Sequence, residues 1–127
     1  MKRIVIRTDK APTAIGPYEQ GIRVENLIFT SGQIPVDPVT QGIVLGDIKE
    51  QTKRVIENIR AVLETGGASL ETVVKTTVYL KNISDFNEMN EVYERYFKEN
   101  KPARSCVEVS ALPKGVGIEM EAIGVAE

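Results

Sequence analysis

The stretch PARSCVEVS, Pro102 to Ser110, sets an arginine, a cysteine and a glutamate at alternate positions. In an extended strand the side chains alternate, so Arg104, Cys106, Glu108 and Ser110 share one face. Ser105, Val107, Val109 and Ala111 share the other, and that apolar row is expected to be core. The polar row is either a solvated surface or the floor of a site. Farther on, IEMEAI alternates Glu119 and Glu121 with Ile118, Met120 and Ala122.

The residues that are missing narrow the chemistry. The chain has no histidine and one cysteine. Triads built on histidine and zinc sites built on His or several Cys are therefore excluded. Neither GxxxxGK[ST] nor GxGxxG occurs. Catalysis would have to rest on carboxylates, hydroxyls, arginine, backbone dipoles and water.

Sixteen basic residues against 18 acidic ones, with no run of like charge, argue against a nucleic-acid or anionic-membrane partner. No apolar run is long enough to span a bilayer. The N-terminal MKRIVIRTDK lacks a signal-peptide core, and a single cysteine makes no internal disulfide. An intracellular, cytoplasmic protein is expected.

One domain over residues 1–127 must position these groups. Asp47 and Glu50 form a capping pair ahead of Ile48, Thr52, Val55, Ile56, Ile59, Val62 and Leu63, and Gly66-Gly67 stops that helix. A second helix is predicted from near Ser84, with Phe86, Met89, Val92, Tyr93, Tyr96 and Phe97 on one side, ending before Pro102. Strands are predicted at IVIR, in GIRVENLIFTSG around a Glu25-Asn26 turn, at VVKTTVYL, SCVEVSAL and GIEMEAIGV. The order is three strands, helix, strand, helix, two strands: an α+β domain of about six strands with two helices on one face.

Two helices leave the second face open. Cys106, Ile123 and the mixed Thr76, Val78 and Leu80 are expected to make it too apolar for water, so a second copy of the chain is the expected cover. If LPKGV turns a final hairpin, Arg104 and Glu119 stand roughly 20 Å apart in one chain, about six residues of strand rise. A site using both would then draw them from different chains.

PARSCVEVSALPKGVGIEMEAI, together with AIGPYEQGI, FTSGQIPVDP and VVKTTVYLKNISDFNEMNEVY, closely resembles the reactive intermediate deaminase (Rid) family, over nearly the whole chain. The KENKPARS segment is short for that pattern. The resemblance implies a chorismate-mutase-like fold, a homotrimer, and active sites between subunits. It implies hydrolysis of 2-iminobutanoate and 2-iminopropanoate to 2-oxo acids and ammonia, without metal or cofactor. Arg104 would hold the substrate carboxylate and Glu119 the attacking water. Tyr18, Ser31, Gly32 and the backbone around Cys106 would line the cleft.

Each of these residues also has an ordinary reading. Arg104 could pair with a surface glutamate, Cys106 could simply pack, Tyr18 could be a turn aromatic and Ser31 a strand-end hydroxyl. Glu119 and Glu121 are not separable without the resemblance. A 2-oxo-acid-binding regulatory trimer is the competing function. An RNA-cleaving translation inhibitor is a third, disfavoured by the charge balance and the missing histidine.

Overall fold

A computed structural model describes all residues, Met1–Glu127. Six strands and two helices follow in the expected order: β1 (Arg3–Ile6), β2 (Gly21–Val24), β3 (Leu27–Thr30), α1 (Ile48–Gly66), β4 (Val73–Leu80), α2 (Phe86–Tyr96), β5 (Ala103–Glu108) and β6 (Ile118–Val125). The Asp47 side chain accepts from Glu50 N at 2.9 Å, which fixes the first turn of α1. Gly67, at φ 98°, closes the helix in the left-handed conformation a glycine reaches without strain.

The strands form one sheet in the order β1-β2-β3-β6-β4-β5. The β1–β2, β2–β3, β3–β6 and β6–β4 pairs are antiparallel, and β4–β5 is parallel. Strands β3 and β4, joined through α1, leave a slot that the last strand fills. Strands β4 and β5, joined through α2, lie side by side as parallel strands with a helical crossover do. Both helices therefore sit on one face.

The expected final hairpin does not form, because β4 lies between β5 and β6. The connection 109–117 is too long for a tight hairpin turn and crosses the end of β4 instead, with Val109 N bonded to Leu80 O and Lys81 N to Gly117 O.

That register also reverses the faces expected for β5. Arg104 pairs with Thr76, Cys106 with Val78 and Glu108 with Leu80. Paired residues point to the same side, and Thr76, Val78 and Leu80 are fully buried under the helices. The row Arg104, Cys106, Glu108 thus lies on the helix side, at the sheet edge. Val107, expected in the core, is 44% exposed on the open side. Val109 and Ala111 lie beyond the strand. A strand at the rim is covered only where α2 reaches it, so apolar alternation alone does not tell which row is inside.

The core sits between the sheet and the helices. Val55, Ile56, Ile59, Val62 and Leu63 of α1 and Met89 of α2 are buried against Ile28, Val78, Leu80, Ile118 and Met120. Each such side chain contributes roughly 1.5–3 kcal/mol on burial.

The open side carries Leu27, Phe29, Ile123 and Val125, placed together by the β3–β6 register. Ile22 and Val24 of β2 extend the same row. Of the residues expected there, Ile123 is on this face; Cys106, Thr76, Val78 and Leu80 are not. No helix is long and apolar enough to cross a membrane.

Candidate active site

Arg104 stands at the edge of the sheet beneath α2. Its Nη1 donates to Asn90 Oδ1 at 2.7 Å. The guanidinium carbon lies 4.6 Å from the Tyr93 ring centroid and 5.4 Å from that of Phe86. Tyr93 is itself held by a 2.7 Å hydrogen bond with Thr76. Three groups from one helix therefore orient a cation over two aromatic faces.

No carboxylate pairs with this arginine; the three ion pairs are Arg7–Glu19, Lys49–Glu91 and Arg60–Glu57. Arg104 lines a cleft of about 450 Å³ together with Asn90, Tyr93, Glu94, Phe97, Lys101 and Pro102, and Glu94 makes no ion pair with it. A guanidinium fixed on one edge and free on another is ready for a planar, two-oxygen anion.

Cys106 is half-buried two residues along the same row. Burial pushes its thiol above the ordinary range, and Arg104 only partly offsets this. A thiol held protonated is a packing group rather than a nucleophile.

Glu119 belongs to a second group of residues. It lies opposite Tyr79 on β4, on the open face, with Glu121 two residues on. Burial, and next the charge of Glu121, raise its pKa above the usual 4.5. Its side chain makes no hydrogen bond or ion pair within the chain, whereas Glu121 accepts from the Tyr79 hydroxyl at 3.5 Å. The carboxylate of Glu119 rests on Gly32, at a place where any Cβ would collide with it. Gly32 is held there because its neighbour Gln33 exchanges two backbone hydrogen bonds with Met120, at 2.8 and 3.1 Å.

The loop carrying Tyr18 closes on the same region. Gly16, at φ 115°, turns the chain, and the Tyr18 hydroxyl accepts from Ile15 N at 3.3 Å. The buried amide of Gln20 donates to the carbonyls of Thr8, Ala11 and Pro12 and accepts from Thr8 N, so the loop is fixed in shape. Ser31 N bonds Gln20 O at 2.9 Å and Ser31 Oγ donates to Glu19 O, which commits that hydroxyl to the backbone. Tyr18, Gln20, Gly32, Gln33, Ile34 and Lys114 are among the residues around a cavity of about 370 Å³.

The structure thus brings Tyr18, Ser31, Gly32 and Glu119 to one region and Arg104 with Cys106 to another. Along β4 the partners of Arg104 and Glu119, Thr76 and Tyr79, are three residues apart, about 10 Å at strand rise. With two strand spacings across β4 added, Arg104 and Glu119 are about 14 Å apart, still shorter than the distance expected from a final hairpin. An odd spacing also puts the two side chains on opposite faces.

Sequence reasoning missed Asn90, Phe86 and Tyr93 as the seat of Arg104, and Gln33 as the tether of Gly32. A signal existed for the first: Phe86, Asn90 and Tyr93 follow helical spacing, so Asn90 is a lone amide beside an apolar stripe.

The family profile described as endoribonuclease L-PSP matches residues 8–126. A RutC family protein of Pyrococcus abyssi is 66% identical over 127 residues, covering 100% of both chains. The 2-iminobutanoate/2-iminopropanoate deaminase of Salmonella typhimurium is 50% identical over 123 residues, covering 94% of this chain and 95% of that protein. The crystal structure of E. coli TdcF with bound serine superposes with a TM-score of 0.92 at 43% identity, over 98% of this chain and 99% of that one.

Proposed function

The chain belongs to the endoribonuclease L-PSP family, the Rid proteins, and from that premise we propose that it hydrolyses 2-iminobutanoate and 2-iminopropanoate to 2-oxo acids and ammonia. The observation that carries this is the guanidinium of Arg104, oriented by Asn90 and two rings and left without a carboxylate of its own. A relative of the same fold holds serine, a ligand with an α-carboxylate.

The chemistry asks little of the protein. A protonated C=N carbon is already electrophilic. Arg104 holds the substrate carboxylate, and Glu119 takes a proton as water adds to that carbon. The carbinolamine then receives that proton on nitrogen, and ammonia leaves as the ionised Glu119 takes the hydroxyl proton and the C=O bond forms. A carboxylate whose proton affinity is raised by burial suits both halves of that transfer.

Arg104 and Glu119 lie on opposite faces, so in this reading one chain supplies Arg104 and a neighbouring copy supplies Glu119, Gly32 and Tyr18. The apolar open face, with Phe29 at 39% exposure and Leu27 at 38%, supports a homotrimer closing over it.

Turnover coupled to a threonine dehydratase tests the proposal. Added protein should speed the release of 2-oxobutanoate and suppress trapping of the imine by semicarbazide. Binding of 2-oxobutanoate with no acceleration would replace the enzyme by a 2-oxo-acid-binding regulator.

A further inference from the structure

Asn58 is the one amide side chain with no exposed surface, and it sits on the buried face of α1 among Val55, Ile56, Ile59 and Val62. Its Nδ2 donates to Val36 O at 3.0 Å and to Ile34 O at 3.3 Å, and its Oδ1 accepts from Arg54 Nε at 3.1 Å. A buried amide in an apolar stripe contributes little net stability relative to well-packed apolar side chains, so what its bonds hold is the informative feature.

They hold the segment Gly32–Val36 from the helix side. Gln33 holds the same segment to Met120 of β6, and the Gln33 side chain is buried on the helix side. Gly32, one residue earlier, is left against the Glu119 carboxylate on the open side. Gly32, Gln33, Ile34 and Val36 also form one wall of the cavity reached by Tyr18. A single short segment therefore joins an amide under the helices to a carboxylate on the other face of the sheet.

We infer that Asn58 is a positioning residue for Glu119, acting through Gly32–Val36 and setting how far Gly32 closes over the carboxylate. This rests on the hydrolytic reading of Glu119 given above. The titratable and charged groups facing Glu119 are Glu121 on its own strand, Tyr79 on β4, Tyr18 and Lys114 around the cavity beside Gly32 and, in the shared site, Arg104 of a neighbouring copy, a cation present in wild type and variants alike; the Gly32–Val36 segment contributes none. Released from Asn58, the segment lets more water around the carboxylate, and part of the burial that raises its proton affinity is relieved.

Two neutral replacements test this without adding charge. Asn58→Leu keeps the approximate shape and removes both donors. Asn58→Thr keeps a polar group that can bond within the helix, as Thr52 Oγ1 bonds Ile48 O at 2.7 Å. It carries the test if the leucine variant does not fold.

The first readout is the Glu119 titration followed by carboxyl-carbon NMR, which needs no activity. The second is the split between kcat and KM. Glu119 should titrate lower in the variants than in the wild type, and the acid limb of the kcat profile should move to lower pH with it. At the pH optimum kcat should fall on the order of tenfold with KM within about twofold, less than the roughly 10²-fold of a 1 Å misplacement.

An unchanged Glu119 titration in a folded Asn58→Thr variant would overturn the inference, even if activity fell. A shifted titration in a protein that hydrolyses no imine would instead sustain the coupling and remove the hydrolytic reading.

Discussion

Arg104 and Glu119 stand on opposite faces of the same sheet with β4 between them, Arg104 registered on Thr76 and Glu119 on Tyr79. Neither has a charged partner in its own chain. Arg104 is held by Asn90, Tyr93 and Phe86, and Glu119 rests on Gly32, whose place is set by the Gln33–Met120 bridge. Two prepared groups that do not meet within one chain lead to the following expectations.

Arg104→Lys should remain folded and assembled but lose kcat/KM by roughly 10- to 100-fold, the worth of a charge-assisted hydrogen bond of about 1.5–3 kcal/mol. A lysine keeps the charge yet offers no planar fork to the substrate and no flat face to Tyr93. Steady-state kinetics decide it, and near-normal turnover would remove the carboxylate clamp.

Cys106→Ser should retain most activity, because burial keeps the thiol protonated and Val78 is its registered neighbour. Mass spectrometry after turnover should find no adduct on Cys106. A stoichiometric covalent species there would reopen nucleophilic catalysis.

Glu119→Gln should lower kcat toward the small end of the ~10²–10⁴-fold range of general-base help, with affinity for 2-oxobutanoate nearly intact. In the wild type, activity should fall as pH drops through the Glu119 pKa, because the ionised form is the base. Burial raises that pKa, so the fall should begin above the ordinary 4.5. A pH–rate profile measures the limb, which should vanish in the variant.

The open face predicts a homotrimer in which Phe29 and Leu27 are covered. Phe29→Glu places a charge in that apolar row and should shift sedimentation toward the monomer, with activity lost in parallel. A wild-type chain that sediments as a monomer at micromolar concentration would defeat the subunit-shared site.

The two helices, the strand count and their order were readable in the sequence because each rests on local physics. The Asp47 cap, the stripe from Ile48 to Leu63 and the Gly67 stop all report on their own turn of chain. The strand order was not readable. Nothing local to SCVEVSAL or GIEMEAIGV reveals that β4 runs between them, since insertion of β6 beside β4 is decided by long-range packing. The assignment of the two rows of β5 failed for the same reason.

Within the candidate site, motif resemblance singled out Arg104, Tyr18, Gly32 and Glu119, and the structure shows what each of them touches. Arg104 is seated on Asn90, and Glu119 is pressed on Gly32. Ser31 donates its hydroxyl to Glu19 O, a backbone contact that the motif did not reveal.

In the proposed assembly one hydrolytic site takes Arg104 from one chain and Glu119 from another. The two impaired variants, Arg104→Lys and Glu119→Gln, are mixed at equal amounts, unfolded and refolded together, and assayed for imine hydrolysis. Random assembly should restore about a quarter of the sites to wild-type composition, with both intact groups meeting across an interface. Activity well above that of either variant refolded alone is the predicted result. Mixed assemblies no more active than their parents would rule out a site shared between chains.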